Sequence, residues 1–180
     1  MSGNGRRAGQ RSRRGEPAAP GAHAAADGPR WLTPGEQRAW RAHLTAGKLV
    51  TRQLDRDLHS FGLNINDYEI LVELSEAHGH RLRMTDLADA TSQSRSRLSH
   101  QITRMEASGL VRRDSCPGDK RGLYAVLTDH GRATIERVAP HHVESVRRHF
   151  ISLLSDAQLA AIREGYAAVI EHLRQVRERD

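Results

Sequence analysis

The chain has 180 residues, a formal net charge of +6 and a pI near 10.4, a length that favours one domain. Hydrophobic residues make up 37%, aromatics 4% and charged residues 28%, with a mean hydropathy of −0.66. No apolar run approaches the roughly 18 residues needed to span a bilayer, which excludes an integral membrane protein. The basic N-terminus is followed by no apolar stretch, so a secretory signal is not expected. The single cysteine excludes an internal disulfide and a cysteine-pair zinc site. A reducing cytoplasm is the expected location.

Charge is unevenly spread. Residues 1–30 carry Arg6, Arg7, Arg11, Arg13, Arg14 and Arg30 against Glu16 and Asp27, leaving a local patch to supply any binding face in 31–180. A strongly basic balance points to nucleic acid or an anionic surface. The first 30 residues hold no Val, Leu, Ile or aromatic residue and cannot bury enough surface to offset chain entropy. They read as a disordered basic tail.

Order begins at Thr33-Pro34-Gly35-Glu36, a capping box with Pro at the first helical position. Trp40, Leu44, Gly47, Val50, Leu54, Leu58 and Phe61 then recur at three- and four-residue steps, predicting a helix of about 25 residues that ends near Gly62. Asn66 and Glu69 read as the start of a second, shorter helix that stops at His78-Gly79. Arg81-Leu82-Arg83 alternates like a very short strand, and Thr85 is placed to cap a helix carrying Leu87, Ala88 and Ala90. After a polar break at Thr91-Ser92-Gln93, a helix runs from about Ser94 to Ser108 and closes at Gly109.

Residues 110–114 and 122–127 read as strands joined by a turn-rich loop, Ser115 to Arg121, hence a hairpin. Thr128 caps a further helix that Pro140 should kink or split near Ala139. Ser155 and Gln158 form a last capping box. Leu159, Ile162, Tyr166, Val169, Leu173 and Val176 follow as a heptad seam that calls for a partner helix. With little chain left to cover both terminal helices, a homodimer is expected, Trp40 and Leu44 of the first helix joining the seam.

Strand, helix, turn, helix, strand, loop, strand over 81–127 is the order of a winged helix-turn-helix, whose second helix enters the major groove of double-stranded DNA. Advancing about 100° per residue from Leu98 puts Ile102 and Met105 on its inward face. Ser96, His100 and Thr103 fall opposite, flanked by Arg97 and Arg104. Short polar side chains with arginines beside them suit base edges, and Arg95 and Ser94 at the N-terminal turn suit phosphate.

Leu87-Ala88-Asp89, the Ser94-to-Glu106 helix, Gly109-Leu110-Val111-Arg112-Arg113, Asp119-Lys120-Arg121 and Leu127-Thr128-Asp129-His130-Gly131-Arg132 together resemble the MarR family of bacterial transcription regulators. The likeness covers about residues 31–178. It implies a mainly α fold with a small β-hairpin wing, a DNA-binding lobe over about 64–127 and dimerisation helices over about 33–61 and 128–178. It implies a homodimer on pseudo-palindromic operators, commonly a repressor released by a small ligand or by oxidation. By the same resemblance Arg121 of the wing enters the minor groove, Asp119 orients it, and Lys120 adds charge beside them; a narrow minor groove does attract Arg. Family ligands bind between the dimer helices and the DNA-binding lobe, where Trp40, Tyr68 or Phe61 would line a pocket or equally serve as core.

Other readings start from single residues. Cys116 beside Arg113 could sense oxidant; otherwise it is a small wing residue, exposed or half-buried. His141 and His142 face different ways, His149 lies two turns from His142, and no H-x-x-x-H pair occurs, so only a composite zinc site using His59, His78 or His80 remains. No metal or cofactor is expected. There is no G-x-S-x-G, H-E-x-x-H or phosphate loop, so no enzyme is expected. The rival from another class is a winged-helix module that docks proteins.

Overall fold

The computed structural model describes residues 29–116 and 118–177. The stretch 1–28, on which the expected basic tail falls, lies outside the described residues, as do the side chains of Lys120, Arg121 and Arg177.

Helix α1 (Pro34–Leu58) starts as its capping box demands: the Thr33 hydroxyl accepts the Glu36 N–H at 3.3 Å and the Glu36 carboxylate accepts the Thr33 N–H at 2.7 Å. A short 3-10 turn over His59–Phe61 and a left-handed Gly62 end it where expected. Helix α2 (Ile65–Glu76) starts earlier than the Asn66–Glu69 reading. Its cap is Asn64, whose side chain accepts the Asp67 N–H at 2.9 Å, while Asp55 of α1 takes the Ile65 N–H at 2.9 Å. Burial of Leu63 (3% exposed) fixes the chain just before that cap.

Strand β1 (Arg81–Arg83) runs directly into α3 (Met84–Ala90), so the expected cap at Thr85 does not form. Thr85 sits within the first turn and its hydroxyl donates to Asp86. Helix α4 (Arg95–Ala107) is capped by Ser94, and Gly109 closes it at a positive φ of 70°. Strands β2 (Val111–Cys116) and β3 (Asp119–Leu127) extend into the expected loop, leaving a tight turn with Gly118 at φ 80° and a register irregularity between Ser115 and Cys116. The antiparallel order is β1-β3-β2, with Arg83 opposite Tyr124 and Asp114 on its other side.

Thr128 starts helix α5 (Asp129–His149) and also ties it to the lobe. Its hydroxyl accepts the Gly131 N–H at 2.9 Å and lies 2.6 Å and 3.0 Å from the Gly109 and Leu110 carbonyls, to which it donates. The approach is so close that a Cβ on Gly131 would stand 2.1 Å from the Leu110 oxygen. This is why the Leu127-to-Arg132 motif needs its glycine. Pro140 does not split α5: it lies on the exposed face, where water can satisfy the carbonyl left without a donor. Helix α6 (Asp156–Arg177) begins at the expected Ser155–Gln158 box.

The core gathers Leu58, Leu63, Ile70, Leu71, Leu74, Leu87, Leu98, Ile102, Met105, Val111, Ala125, Ile135 and Val138. It therefore lies inside the winged lobe and at its junction with α1 and α5. The long terminal helices leave it at their far ends. Fold class and element order are those of a winged helix-turn-helix, mainly α with a small antiparallel sheet. No helix among the described residues is long and apolar enough to cross a membrane.

Changing Gly131 to Ala forces α5 away from Leu110. The expected loss is about 3 kcal/mol, the upper end of overpacking effects. Equilibrium urea denaturation measures it, and an unchanged midpoint would mean that the clasp yields freely.

Candidate nucleic-acid interface

Helix α4 is divided between two faces. Leu98, Ile102 and Met105 are buried at 2% exposure or less, and Gln101 joins them as a buried polar group. Ser94, Arg95, Ser96, Arg97, His100, Thr103 and Arg104 are all exposed, as the helical geometry predicts.

Exposure does not make these side chains equally available. Arg95, Arg97 and His100 have no side-chain hydrogen bond or ion pair among the described residues. The Ser94 and Ser96 hydroxyls lie 3.3 Å apart at the cap. Thr103 is committed internally, donating to the Ser99 carbonyl at 3.0 Å and accepting from Arg113 at 3.1 Å. Arg104 is also engaged, at 3.2 Å from Asp67. The free part of the face is thus Arg95, Arg97 and His100.

Two residues that sequence reasoning missed hold α4 in place. Asp67 of α2 is 9% exposed, and its Oδ1 accepts from Gln101 at 3.0 Å and from Arg104 at 3.2 Å. Its Oδ2 accepts the Asn64 N–H at 3.3 Å, so one carboxylate joins the cap of α2 to α4. Arg113 of β2 pairs with Glu106 and donates to the Ser99 carbonyl at 2.8 Å. The N-x-x-D spacing of Asn64 and Asp67 carried a signal for the first; nothing local marks the second.

On the wing, Asp119 pairs with Arg83 of β1 at 3.2 Å, and its carboxylate lies 2.6 Å from where a Cβ on Gly122 would stand. Arg81 and Arg83 lie over the Tyr124 ring at 5.0 and 5.8 Å. The expected minor-groove roles of Lys120 and Arg121 fall on side chains outside the described residues. Cys116 is buried, contrary to the expected exposed or half-buried position, and the Arg113 guanidinium expected to activate it is occupied by Glu106.

The terminal helices keep their apolar seam open. Leu159 and Ile162 are half-buried, while Tyr166, Val169, Leu173 and Val176 are exposed by 41–58% and Trp40 by 52%. Leu44 is exposed as well, so Trp40 and Leu44 are not core. Tyr166 meets α1 through His43, with His43 Nδ1 2.7 Å from its hydroxyl and Trp40 stacked on the same imidazole.

Two adjacent histidines of α5 pack on aromatic rings. His141 lies against Phe61 and His142 against Tyr68, with centroids 5.0 and 4.1 Å apart. Among the described residues no three His, Cys, Asp or Glu side chains converge as metal ligands, so His59, His78 and His80 do not make a composite site. Asp57 of α1 accepts from Ser145 and from Gln53, and these hydrogen bonds hold its carboxyl below the ordinary range.

A free polar recognition face beside a braced wing suits DNA, and the fold that carries it is shared with known proteins. The model of the MarR family matches residues 61–122. AbsC, a MarR family transcriptional regulator from Streptomyces coelicolor, is 60% identical over 82% of this chain and 99% of its own, with a TM-score of 0.78. This chain belongs to the MarR family of transcriptional regulators. Sco3205 of the same organism, a MarR family regulator solved in complex with DNA, is 44% identical over 82% of this chain and 92% of its own, also at a TM-score of 0.78. The transcriptional regulator PecS of Dickeya dadantii (strain 3937) is 29% identical over 126 residues, 69% of this chain and 75% of its own length.

Burial pushes the His142 imidazole below its ordinary value of 6.5, and its Nδ1 has no partner among the described residues. The unfolded chain therefore takes up this proton more readily than the fold. The neutral ring's contribution is complete above 6.5 and is lost as pH falls from there through the lower folded value. His142→Phe should flatten the fall in stability between about pH 7 and pH 5, seen in denaturation midpoints. An unaltered slope would assign that fall to other groups.

Proposed function

We propose that this chain is a sequence-specific double-stranded DNA-binding transcriptional regulator acting as a homodimer on pseudo-palindromic operators, a repressor in the cytoplasm. Residues 31–180 form the working unit, with the lobe at about 64–127 and the terminal helices pairing two copies. The observation that carries this is the free Arg95, Arg97 and His100 row on the outward face of α4, next to the wing. Helix α4 takes the major groove and the wing, with Lys120 and Arg121, takes the minor groove. The similarity to Sco3205, a relative whose structure holds DNA, supports the same use of the fold.

A protein-docking module fits less well, because such faces centre on apolar or aromatic anchors and the outward face of α4 has none. The role proposed is binding rather than catalysis, in keeping with relatives that are transcriptional regulators. Release by a small effector is part of the reading. A cavity of about 410 Å³ lies where the end of α1 meets α2 and α4, and Asp67 and Arg104 line it. An occupant that breaks their ion pair would shift α4 directly. Trp40, Tyr68 and Phe61 do not line this space: Tyr68 is buried and Phe61 borders a smaller cavity with His141 and His142.

Binding to duplex DNA should weaken steeply with salt, because each neutralised phosphate releases a counterion. A gel-shift series over salt concentration tests this; salt-independent capture would favour the docking module. On DNA that the wild type selects, His100→Ala should alter base preference, at roughly 1–3 kcal/mol per base read directly. Thr103→Ala should leave preference intact and instead loosen the Arg113 contact. The opposite pattern would move the reading face along α4. Leu173→Asp places a charge in the open seam and should give monomers in analytical ultracentrifugation. A persistent dimer would locate the interface elsewhere.

A further inference from the structure

A cavity of about 320 Å³ opens between the first turn of α4 and the base of the wing, bordered by Arg83, Thr85, Arg95, Ser99, Arg113 and Asp119. Among the described residues, three guanidinium groups and one carboxylate border this space. Two of them are held: Arg113 by Glu106 and the Ser99 carbonyl, Arg83 by Asp119. Arg95 has no side-chain partner among the described residues. It also stands in the first turn of α4, which contains no acidic residue, where the helix dipole disfavours a cation. With the other two guanidinium groups paired to Asp119 and Glu106, Arg95 is the cation of this cavity with no side-chain partner among the described residues, and an anion from outside would supply one.

Resting on the DNA-binding reading, we propose that this cavity seats one backbone phosphate of the bound duplex, clamped between Arg95 of α4 and Arg83 of β1. Arg83 lies outside both the recognition helix and the wing turn. Asp119 is the internal anion that keeps its guanidinium aimed into the seat, and the Tyr124 ring supports it from below. The cavity stands between the two parts that enter neighbouring grooves, where the intervening backbone must run. A phosphate there fixes the register of the protein on DNA and carries no base information.

The test uses the dimer and a duplex recovered by the wild type from a randomised pool, alongside a scrambled duplex, each titrated over salt. Arg95→Gln should weaken binding to both duplexes by the order of tenfold and lower the salt slope by about one, with base preference unchanged. Arg83→Gln should likewise weaken binding to both duplexes and lower the salt slope by about one, with base preference unchanged. If Arg83 only braced the wing, its substitution would weaken binding without lowering the salt slope, and the proposal fails. An unchanged salt slope or a shifted base preference in Arg95→Gln overturns it too. Displacement of DNA by millimolar inorganic phosphate, beyond chloride at matched ionic strength, would make the cavity a small-anion site and overturn it. Wild-type protein that shows no salt-dependent binding defeats the DNA-binding reading itself, whereas normal wild-type binding with unaffected variants removes the seat alone.

Discussion

One buried carboxylate sets the posture of the recognition helix. Asp67 gives one oxygen to Gln101 and Arg104 of α4 and the other to the backbone of Asn64, the residue that starts α2. A carboxylate this buried costs free energy unless its lone pairs are taken, so Asp67 imposes its geometry on both helices. The apolar stripe of Leu98, Ile102 and Met105 decides which face of α4 is buried. Asp67 helps to decide how far along its axis the helix sits, and hence where His100 and Arg97 stand. Arg113 repeats the arrangement from the sheet side by pairing with Glu106 and bonding the Ser99 carbonyl.

Two polar struts from different elements make the face of α4 stiff without using its free residues. This divides the polar residues by task. Thr103 and Arg104 look outward in a helical projection, yet their hydrogen bonds run inward to Arg113 and Asp67. Arg95, Arg97 and His100 keep their donors and acceptors for an outside partner. The same economy recurs on the wing, where Arg83, Tyr124 and Asp119 are tied to one another over the notch left by Gly122.

Much of this is legible in the sequence because it is local. The caps at Thr33, Thr128 and Ser155, the α4 stripe and the spacing of the α6 seam all depend on residues three or four apart, and each stands where the pattern puts it. The start of α2 is ambiguous in sequence because two Asn-x-x-acid spacings overlap, and burial of Leu63 with Asp55 chooses the earlier one. Thr85 resembles a cap because the pattern does not show β1 running straight into α3. Asp67 to Arg104 and Arg83 to Asp119 span 37 and 36 residues, so neither strut has a local signature. The seam of α6 shows the converse: its regular spacing is plain, and in one chain it remains largely uncovered.

Two copies joined through that seam would present two α4 helices to one face of the double helix. Hydroxyl-radical footprinting of the dimer on a duplex it selects tests this most directly. Two protected backbone segments are expected, related by a two-fold axis and centred about one helical turn apart, with further protection at the flanking minor grooves where the wings lie. A single protected segment, or two without that symmetry and spacing, would contradict it.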